Sequence, residues 1–517
     1  MEEDVKNPNQ RVIQQIQALL NVHIERIVGG GIAISFEWLS TISNIFIIVN
    51  VVLAFFILFF ERKTASSAWA WILILFFIPI LGFVLYLLFG KPLRRSRLNR
   101  PVAYENRDFT DLKDRQLAEM KSRSFQPPAA LEEKWMDIVQ MNAARTDAPL
   151  STAADIQIFN DGKRKFDALF DDIRAASKHI HLQYFILNDD DLGQALLALL
   201  TEKAQQGVKV LVLYDDLGSS SLPKHFFDAF HGAGGKSAAF LPAMLTSINP
   251  RLNHRNHRKL VVIDGRVGYT GGFNVGDEYI GKKKEFGYWR DTHLRIEGQA
   301  VHSLQNRFFI DWNQAAEKYP MKYAETYFPK MDHPSGVPMQ LVASGPLETH
   351  EDIKNGYLKM IHHARESIYL QTPYFIPDKS IMDALRTAAL GGVDVQLMIP
   401  HLADHLFVHS ATLSFARELL EDGVKVYSYQ NGFLHAKTLV VDRQAFSVGS
   451  ANMDVRSFAL NFELNAFVYD AGSAQEMADL FLQDRKLCVE LTEADFKKQH
   501  WIEKAKQDIA KLVSPIL

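Results

Sequence analysis

NHRNHRKLVVIDGRVGYTGGFN, residues 253–274 of this 517-residue chain, combines two closely spaced basic side chains with a turn signal. His257 and Lys259 stand two residues apart and lead into an apolar run, an Asp-Gly pair and a closing Gly-Gly-Phe-Asn. An Asp-Gly pair between two apolar runs is typical of antiparallel strands joined by a tight turn. Residues two apart in an extended segment point to the same side. The sequence therefore predicts a strand hairpin that presents one imidazole and one ammonium group together.

A second stretch, FLHAKTLVVDRQAFSVGSAN at residues 433–452, repeats the same order and spacing with different intervening residues. A single His-x-Lys is usually a surface strand with two polar residues, but two matched copies favour a shared functional role. In each copy a histidine, a lysine, an aspartate and an asparagine occupy equivalent positions. These candidate site residues are His257, Lys259, Asp264 and Asn274 in the first copy and His435, Lys437, Asp442 and Asn452 in the second.

The sequence around these two stretches is also repeated. From Ala153 onward apolar strands alternate with helical stretches, which predicts an α/β fold. HIHLQYFILND at 179–189 resembles SIYLQTPYFIPD at 367–378, and each is followed by a helical stretch and a Gly-Val strand. A repeat of this length indicates duplicated domains rather than a solenoid. We predict two tandem α/β domains, residues 141–335 and 336–517.

Two long apolar runs near the N-terminus predict a transmembrane hairpin, residues 39–90. Residues 39–60 and 68–89 carry no charged side chain, and each run is long enough to cross a bilayer. The second run is followed by KPLRRSRLNR, whereas the loop between the runs holds only Arg62 and Lys63 as basic residues. The positive-inside rule then places everything after residue 90 in the cytoplasm, together with the N-terminal segment 1–38. Residues 91–140 are predicted to form a basic juxtamembrane linker.

Composition excludes several classes of site. The formal net charge is −3 and the pI about 6.7, so no global basic field indicates a nucleic-acid partner. Cys488 is the only cysteine, which excludes internal disulfides and Cys-rich zinc sites. The sequence contains neither a Walker A motif nor a dinucleotide-binding glycine pattern after a strand. No cofactor is therefore expected.

The duplicated residue set suits chemistry on a phosphodiester. Lysines and carboxamides can bind the non-bridging oxygens and offset charge that develops at phosphorus. One imidazole can attack phosphorus while the other protonates the departing oxygen. No metal is demanded, because the lysines supply the positive charge. The residues alone do not decide which histidine attacks.

Four carboxylates are candidates to support this set. A histidine nucleophile needs its second ring nitrogen held, usually by a carboxylate. Asp291 in YWRDTHLRIEG and Glu463 in NFELN follow the two histidines in the chain, so we predict that each orients the histidine of its own half. Asp264 and Asp442 belong to the repeated motif and are counted with the catalytic candidates, although their place at the turn favours a structural role.

Both stretches match the H-x-K-x4-D-x6-G-[GS]-x-N pattern, and on it the chain resembles the phospholipase D superfamily. LQYFILNDD, GGFNVGDEY, WRDTHLRIEG and TPYFIP resemble blocks of the bacterial cardiolipin synthases in particular. The halves differ at Gly272 and Ser450, and residues 399–419 match the family only loosely.

This resemblance implies a pseudo-two-fold, bilobed catalytic unit at the bacterial cell membrane. It implies that His257 takes a phosphatidyl group from phosphatidylglycerol as a phosphohistidine, with His435 as acid and later base. A second phosphatidylglycerol then accepts the group, which gives cardiolipin and glycerol. The implied partners are phosphatidylglycerol, other membrane phospholipids and the bilayer.

Other functions remain open from the sequence. A membrane-bound phospholipase D that hydrolyses its lipid, or another phosphatidyltransferase, would use the same motif. A nuclease is disfavoured by the near-neutral charge and the apolar N-terminal runs. A scaffold that only binds phosphate is disfavoured because both sets of histidine, lysine and asparagine are intact.

Overall fold

The computed structural model describes residues 36–60, 65–90, 107–146, 148–153, 155–241, 254–316, 318–331, 336–348 and 350–514. Residues 1–35 of the predicted N-terminal segment lie outside these ranges, and so does the basic run at 91–100 within the predicted linker. The chain divides into two compact units, Met1–Tyr86 and Leu87–Leu517. Each unit is described by itself.

The N-terminal unit is helical where it is described. The predicted spans fall within Phe36–Phe60, Ala65–Phe77 and Pro79–Leu85, and a π-helical turn, Tyr86–Gly90, follows the last helix. In the described part of the chain, no helix combines the length and apolarity that crossing a membrane requires. The two-span hairpin therefore stays a prediction.

The larger unit is built on two mixed sheets. Over the described residues, the first sheet has eight strands. They are Phe433–Leu434, Trp289–Glu297, Val267–Gly271, Leu260–Ile263, His179–Tyr184, Lys209–Asp215 and Lys236–Phe240 in spatial order, with Asp155–Asp161 paired to Trp289–Glu297.

The second sheet has nine strands within the same described ranges. In spatial order they are Ser151–Ala153, Val337–Ser344, Glu463–Val468, Ala445–Gly449, Thr438–Val441, Ser367–Gln371, Asp394–Pro400, Lys425–Tyr429 and Cys488–Leu491. A two-stranded ribbon, Phe375–Ile376 with Met453–Asp454, lies apart from both sheets. The predicted α/β class with two tandem domains is thus confirmed.

Helices accompany the strands in both halves of the larger unit. The described α-helices are Arg107–Lys121, Met136–Arg145, Gly162–Ala175, Asp191–Gln205, Asp228–Gly232, Val301–Ala315, Asp352–His363, Lys379–Leu390, Leu406–Leu420, Val455–Ala459, Ala471–Arg485, Glu493–Lys498 and Trp501–Val513. Short 3₁₀ helices occur at Glu133–Trp135, Asp277–Ile280 and Glu325–Tyr327.

The two motif stretches form the predicted hairpins. Leu260–Ile263 pairs antiparallel with Val267–Gly271, and Thr438–Val441 pairs antiparallel with Ala445–Gly449. Each hairpin lies beside a central strand of its sheet, Ile180 opposite Ile263 in one half and Ile368 opposite Val441 in the other. The same register in both halves places the two His-x-Lys segments at equivalent points, immediately before their strands.

Each sheet contains a short strand contributed by the other half of the chain. Phe433–Leu434, from the second half, pairs with Trp289 and Arg290 in the first sheet. Ser151–Ala153 belongs to the predicted first domain but pairs with Val337–Met339 of the second sheet. At these two strands the sheets therefore do not follow the predicted domain boundary at residue 335. The domain limits themselves remain a prediction.

One apolar core joins the halves. It contains Leu294 and Phe308 from the first half together with Phe446 and Leu464 from the second, all fully buried. The helices Val301–Ala315 and Ala471–Arg485 both contribute side chains to it. Because burial of apolar surface is the main favourable term in folding, the halves stabilise one another.

Asp264 and Asp442 define the hairpin turns rather than a reacting centre. Both have positive φ angles, 54° and 52°. The Asp264 carboxylate accepts hydrogen bonds from the backbone N–H groups of Ser177, Lys178 and His179 at 2.8 Å. Asp442 accepts equivalent bonds at the start of Ser367–Gln371. The carboxylates fasten each hairpin to the neighbouring central strand, which is the structural role that their place at the turn favours.

We expect Asp264→Ala to lower the free energy of unfolding by about 2–3 kcal/mol, because several backbone donors lose their acceptor. Burial would raise the pKa of Asp264, but the backbone N–H donors outweigh it and lower the pKa. A lowered folded-state pKa adds stability above the ordinary aspartate pKa, and this stability is lost as pH falls through the folded value. Chemical denaturation at pH 7 and at pH 3 measures the difference.

Asp171→Ala is the matched control, since Asp171 pairs with Arg174 on an exposed helix surface. Equal losses for the two variants would contradict the structural role of Asp264.

Candidate active site

Each motif histidine is anchored by the opposite half of the chain. The His257 backbone N–H donates to the carbonyl of Phe462 at 2.9 Å, and that of His435 donates to the carbonyl of Arg290 at 2.7 Å. These bonds continue the exchanged strand edges, because Asn256 bridges to Phe462 and Leu434 pairs with Arg290. The exchange draws the two imidazoles into one site.

The supporting carboxylates also cross between the halves. Nδ1 of His257 lies 3.0 Å from Oε2 of Glu463, and Nδ1 of His435 lies 2.6 Å from Oδ2 of Asp291. The prediction that each carboxylate serves the histidine of its own half is therefore wrong. Asp291 and Glu463 lie in the strands that receive the exchanged edges, so each faces the incoming histidine of the other half.

The difference between Gly272 and Ser450 follows from these two carboxylates. A Cβ atom at position 272 would lie 2.0 Å from Oδ1 of Asp291, so only glycine leaves room for this carboxylate. In the other half, the Ser450 hydroxyl donates to Glu463, whose position is also supported by Asn461. A short acid with glycine and a longer acid with serine thus build two different supports.

The lysines lie behind the histidines and are fully buried. Lys259 Nζ donates to the carbonyl of His257 at 2.6 Å, and Lys437 Nζ donates to the carbonyl of His435. Lys437 Nζ also lies 2.9 Å from Nδ1 of His435, a ring contact that Lys259 does not make among the hydrogen bonds of the described residues. The two halves are therefore equivalent in topology but not in electrostatics.

Burial and the neighbouring charges set the protonation of the site. Burial lowers the pKa of His257 despite Glu463, and burial together with Lys437 lowers the pKa of His435 to about 4. Burial would raise the pKa of Asp291 and Glu463, but the adjacent lysines and histidines outweigh it and lower both. At neutral pH the free site therefore pairs ionised carboxylates with neutral imidazoles.

The same balance leaves the lysines less basic than usual. Burial lowers the pKa of Lys437 to about 8 against the opposing carboxylates, and it lowers the pKa of Lys259 well below its usual range. When Nδ1 of a histidine donates to its carboxylate, Nε2 keeps a lone pair. Such a ring can attack an electrophile or accept a proton.

A cavity of about 440 Å³ opens in front of the histidines. His257 and His435 both line it, together with the predicted asparagines Asn274 and Asn452. Asn274 is held by the backbone N–H of Ile186 and by the Tyr279 hydroxyl, to which its amide donates. The buried Oδ1 of Asn452 has no hydrogen-bond partner among the described residues. The structure thus gathers both histidines and both asparagines at one cavity.

Several cavity residues were missed by the sequence analysis. Arg255 stands two residues before His257, so the spacing that drew attention to Lys259 also applied to Arg255. Arg456 lies four residues after Asn452, in the short helix Val455–Ala459, and carries no signal of its own. Tyr374 lies within the quoted block TPYFIP, and its hydroxyl donates to Asp404 of the loosely matching segment.

The chain matches a known family model across both halves. The model described as cardiolipin synthase, PLD-like domain, matches residues 169–312 and 357–485. A second model, described as phospholipase D-nuclease N-terminal, matches residues 48–91.

Similar proteins cover nearly the whole chain. Cardiolipin synthase 2 of Staphylococcus epidermidis is 49% identical over 91% of this chain and 96% of its own length. The major cardiolipin synthase of Bacillus subtilis is 48% identical over 92% of this chain and 99% of its own. Among solved structures, phosphatidylserine synthase of Haemophilus influenzae is 16% identical with a TM-score of 0.59, covering 74% of this chain and 100% of that one. At this identity the structural likeness supports the fold alone.

The crossed pairing predicts a specific response of the histidines. Asp291→Asn should lower the pKa of His435 by about one unit or more, because the imidazolium loses its nearest anion. The pKa of His257 should change much less. Histidine hydrogen–deuterium exchange followed by mass spectrometry measures both values in the full chain.

Glu463→Gln is the reciprocal variant and should act mainly on His257. A larger effect of Asp291→Asn on His257 than on His435 would contradict the crossed arrangement.

Proposed function

Since the chain belongs to the PLD-like cardiolipin synthase family and is a phosphatidyltransferase, we propose that this site makes cardiolipin from two phosphatidylglycerol molecules. The observation that carries the proposal is the pair of cross-held histidines at a single cavity. Two such groups can divide nucleophilic attack and proton transfer between them.

In the first step, Nε2 of His257 attacks the phosphorus of the donor lipid. The bond from phosphorus to the glycerol oxygen breaks, and His435 delivers a proton to that oxygen, so glycerol leaves. The product is a phosphatidyl group bound to His257. Glu463 stabilises the positive charge that develops on the attacking ring, because it accepts the Nδ1–H bond.

In the second step, a hydroxyl of another phosphatidylglycerol attacks the same phosphorus. His435, now neutral, accepts the hydroxyl proton, and the bond between phosphorus and His257 breaks. Cardiolipin leaves and the site returns to its starting protonation. One phosphodiester replaces another, so the exchange consumes no nucleotide.

The inequivalent surroundings support this order of roles. His257 is oriented by the Glu463 carboxylate, which itself accepts hydrogen bonds from Ser450 and Asn461. Because this support holds the ring in one orientation, it favours His257 as the nucleophile. His435 must be protonated before glycerol leaves, although its pKa in the free site is about 4. The anionic phosphodiester raises that pKa when it binds, and Asp291 at 2.6 Å stabilises the imidazolium.

Binding of two anionic lipids requires more than the histidines. We assign the non-bridging oxygens of the reacting phosphate to Asn274 and Asn452, with positive charge from Lys259 and Lys437 behind them. Arg255 and Arg456 line the same cavity and supply charge for the phosphate of the second lipid. Phosphatidylglycerol and the membrane that contains it are the partners of this site.

The arrangement of the chain at the membrane is part of the proposal. Residues 39–60 and 68–89 form a two-span hairpin, with residues 1–38 and everything after residue 90 in the cytoplasm. Residues 91–140 link the hairpin to catalytic domains at 141–335 and 336–517. The uncharged runs and the basic residues after the second run support this arrangement.

Purified full-length protein in phosphatidylglycerol vesicles should form cardiolipin and glycerol in equal amounts. His257→Ala and His435→Ala should each lower the rate by about 10³-fold or more, because an intact pair is needed for both steps. Lipid mass spectrometry and a glycerol assay measure the products.

Phosphatidic acid as the main product would instead support the hydrolytic alternative. With ³²P-labelled donor, alkaline quenching of the unmodified protein during turnover should trap acid-labile label on His257, and His257→Ala should carry none. Absence of label from the unmodified protein during turnover, or label on His435 instead, would contradict the proposed covalent step.

The proposed topology can be tested with single cysteines in a Cys488→Ser background, because Cys488 is the only natural cysteine. A membrane-impermeant maleimide should label Ser66→Cys in intact bacteria and Lys284→Cys only after the membrane is permeabilised. Lys284 is exposed on the catalytic unit, so its accessibility depends on the side of the membrane. Labelling of both positions, or of neither, in intact cells would contradict the hairpin.

A further inference from the structure

The C-terminal helix, Trp501–Val513, turns its apolar face away from the protein. Trp501 is 71% exposed, Ile509 59% and Leu512 65%. At 100° per residue these side chains share one face of the helix, with Ala505 between them. The buried residues of the helix, Gln507 and Ala510, lie on another side. This is the reverse of an ordinary surface helix, whose apolar face packs on the core.

Polar contacts hold the helix in this orientation. Arg417 pairs with Asp508 at 2.7 Å, and Lys511 forms an ion pair with Glu418. Both partners belong to the helix Leu406–Leu420, here called the pocket helix. Gln507 also donates to the side chain of Gln499. These contacts, which run from Asp508 at the edge of the apolar face to Gln507 on the buried side, fix the outward orientation of that face.

This pair of helices forms a wall of the catalytic cavity. Ala510 packs with Ala411 of the pocket helix and with Ile376. Ile376, Val408 and Ser514, which directly follows the C-terminal helix, line the cavity. The inner side of the pair therefore meets the site, while its outer side is apolar.

The first turn of the pocket helix extends the apolar surface. Leu406 is 81% exposed, and Phe407 is also exposed. Both lie between His405 and Val408, which line the cavity. Exposed aliphatic and aromatic side chains are thus present on both helices of this pair, and those of the pocket helix lie at the rim of the site. Exposed apolar side chains concentrated in this way indicate an interaction surface.

If the proposed function holds, the size of the lipid substrate indicates which partner contacts this surface. A cavity of about 440 Å³ lies at the lower end of the range for small-molecule sites. It can take a glycerophosphate headgroup, but it cannot also enclose the acyl chains of two diacyl lipids. The chains must stay in the bilayer while the phosphate reaches the histidines, so the rim of the cavity must touch the membrane surface.

We propose that the C-terminal helix and the first turn of the pocket helix lie in the interface of the bilayer. Trp501, Ile509, Leu512 and Leu406 enter the acyl boundary, and the cavity opens directly onto the lipids. Helices of this kind bind by burying their apolar face in the plane of the membrane while the polar side stays with the protein or water. This inference rests on the proposed function and adds a second membrane contact, at the catalytic unit.

The depth of single residues tests the proposal in the full-length protein. In the Cys488→Ser background, Ile509→Cys and Leu512→Cys carry a nitroxide spin label in phosphatidylglycerol vesicles. Leu390→Cys is the matched control, because Leu390 is equally exposed (69%) but lies away from the cavity. It precedes the strand Asp394–Pro400, and the opposite end of that strand leads to the cavity. Labels at 509 and 512 should collide more with oxygen than with an aqueous nickel complex, and the control should show the reverse.

Two results would overturn the proposal. Labels at 509 and 512 that collide with the nickel complex as often as the control does would place the helix in water. Labels shielded from both reagents would mean that protein covers this face, either a second copy or another part of the same chain.

Activity separates this proposal from the proposed function. Ile509→Glu combined with Leu512→Glu should lower cardiolipin formation from vesicles by about tenfold, because two apolar anchors are lost. Leu390→Glu should change the rate less than twofold. With a short-chain phosphatidylglycerol dissolved below its micelle concentration, the unmodified protein and both variants should form cardiolipin at the same rate.

An equal loss on vesicles and on dissolved lipid would contradict docking, because the damage would then lie in the site. If the unmodified protein formed no cardiolipin from either substrate, the proposed function would fail, while the label depths would still report on docking.

Discussion

The crossed hydrogen bonds between histidines and carboxylates determine how the two halves of the larger unit must fit together. Glu463 holds His257 and Asp291 holds His435, so neither half contains a complete catalytic group. The exchanged strand edges and the shared apolar core keep these partners in register. A small rotation of one half against the other would separate both pairs together. The extensive contact between the halves is therefore a requirement of the chemistry as well as of folding.

Much of the fold could be predicted because it is recorded in local patterns. The hairpins after Lys259 and Lys437 follow from apolar runs around a turn, and the duplication is visible as repeated order. The partner of each histidine could not be predicted, because the strand exchange leaves no trace in spacing along the chain. Proximity in sequence favoured Asp291 for His257, whereas the exchanged edges bring Glu463 there. Arg456 was missed for a similar reason, since only the tertiary fold brings its helix to the cavity.

The electrostatic design depends on mutual compensation among buried charges. Isolated carboxylates and ammonium groups are costly to bury, yet Asp291, Glu463, Lys259 and Lys437 are all inaccessible to solvent or nearly so. Each acid lies near a base, so the carboxylates stay ionised, whereas burial outweighs the nearby carboxylates and leaves the lysines less basic. Such a site loses little free energy on reorganisation when a phosphate enters, because its dipoles and charges are already in place.

The difference between Gly272 and Ser450 distinguishes the two joined halves from the subunits of a symmetric dimer. The two halves meet as the subunits of an isologous dimer would, with each edge given to the partner. In a true dimer, any substitution would appear on both sides and the two histidines would have identical surroundings. Joined in one chain, the halves have acquired a glycine beside a short acid and a serine beside a longer one. Because the halves are joined in one chain, equivalent positions can hold different residues, and the two histidines have different surroundings.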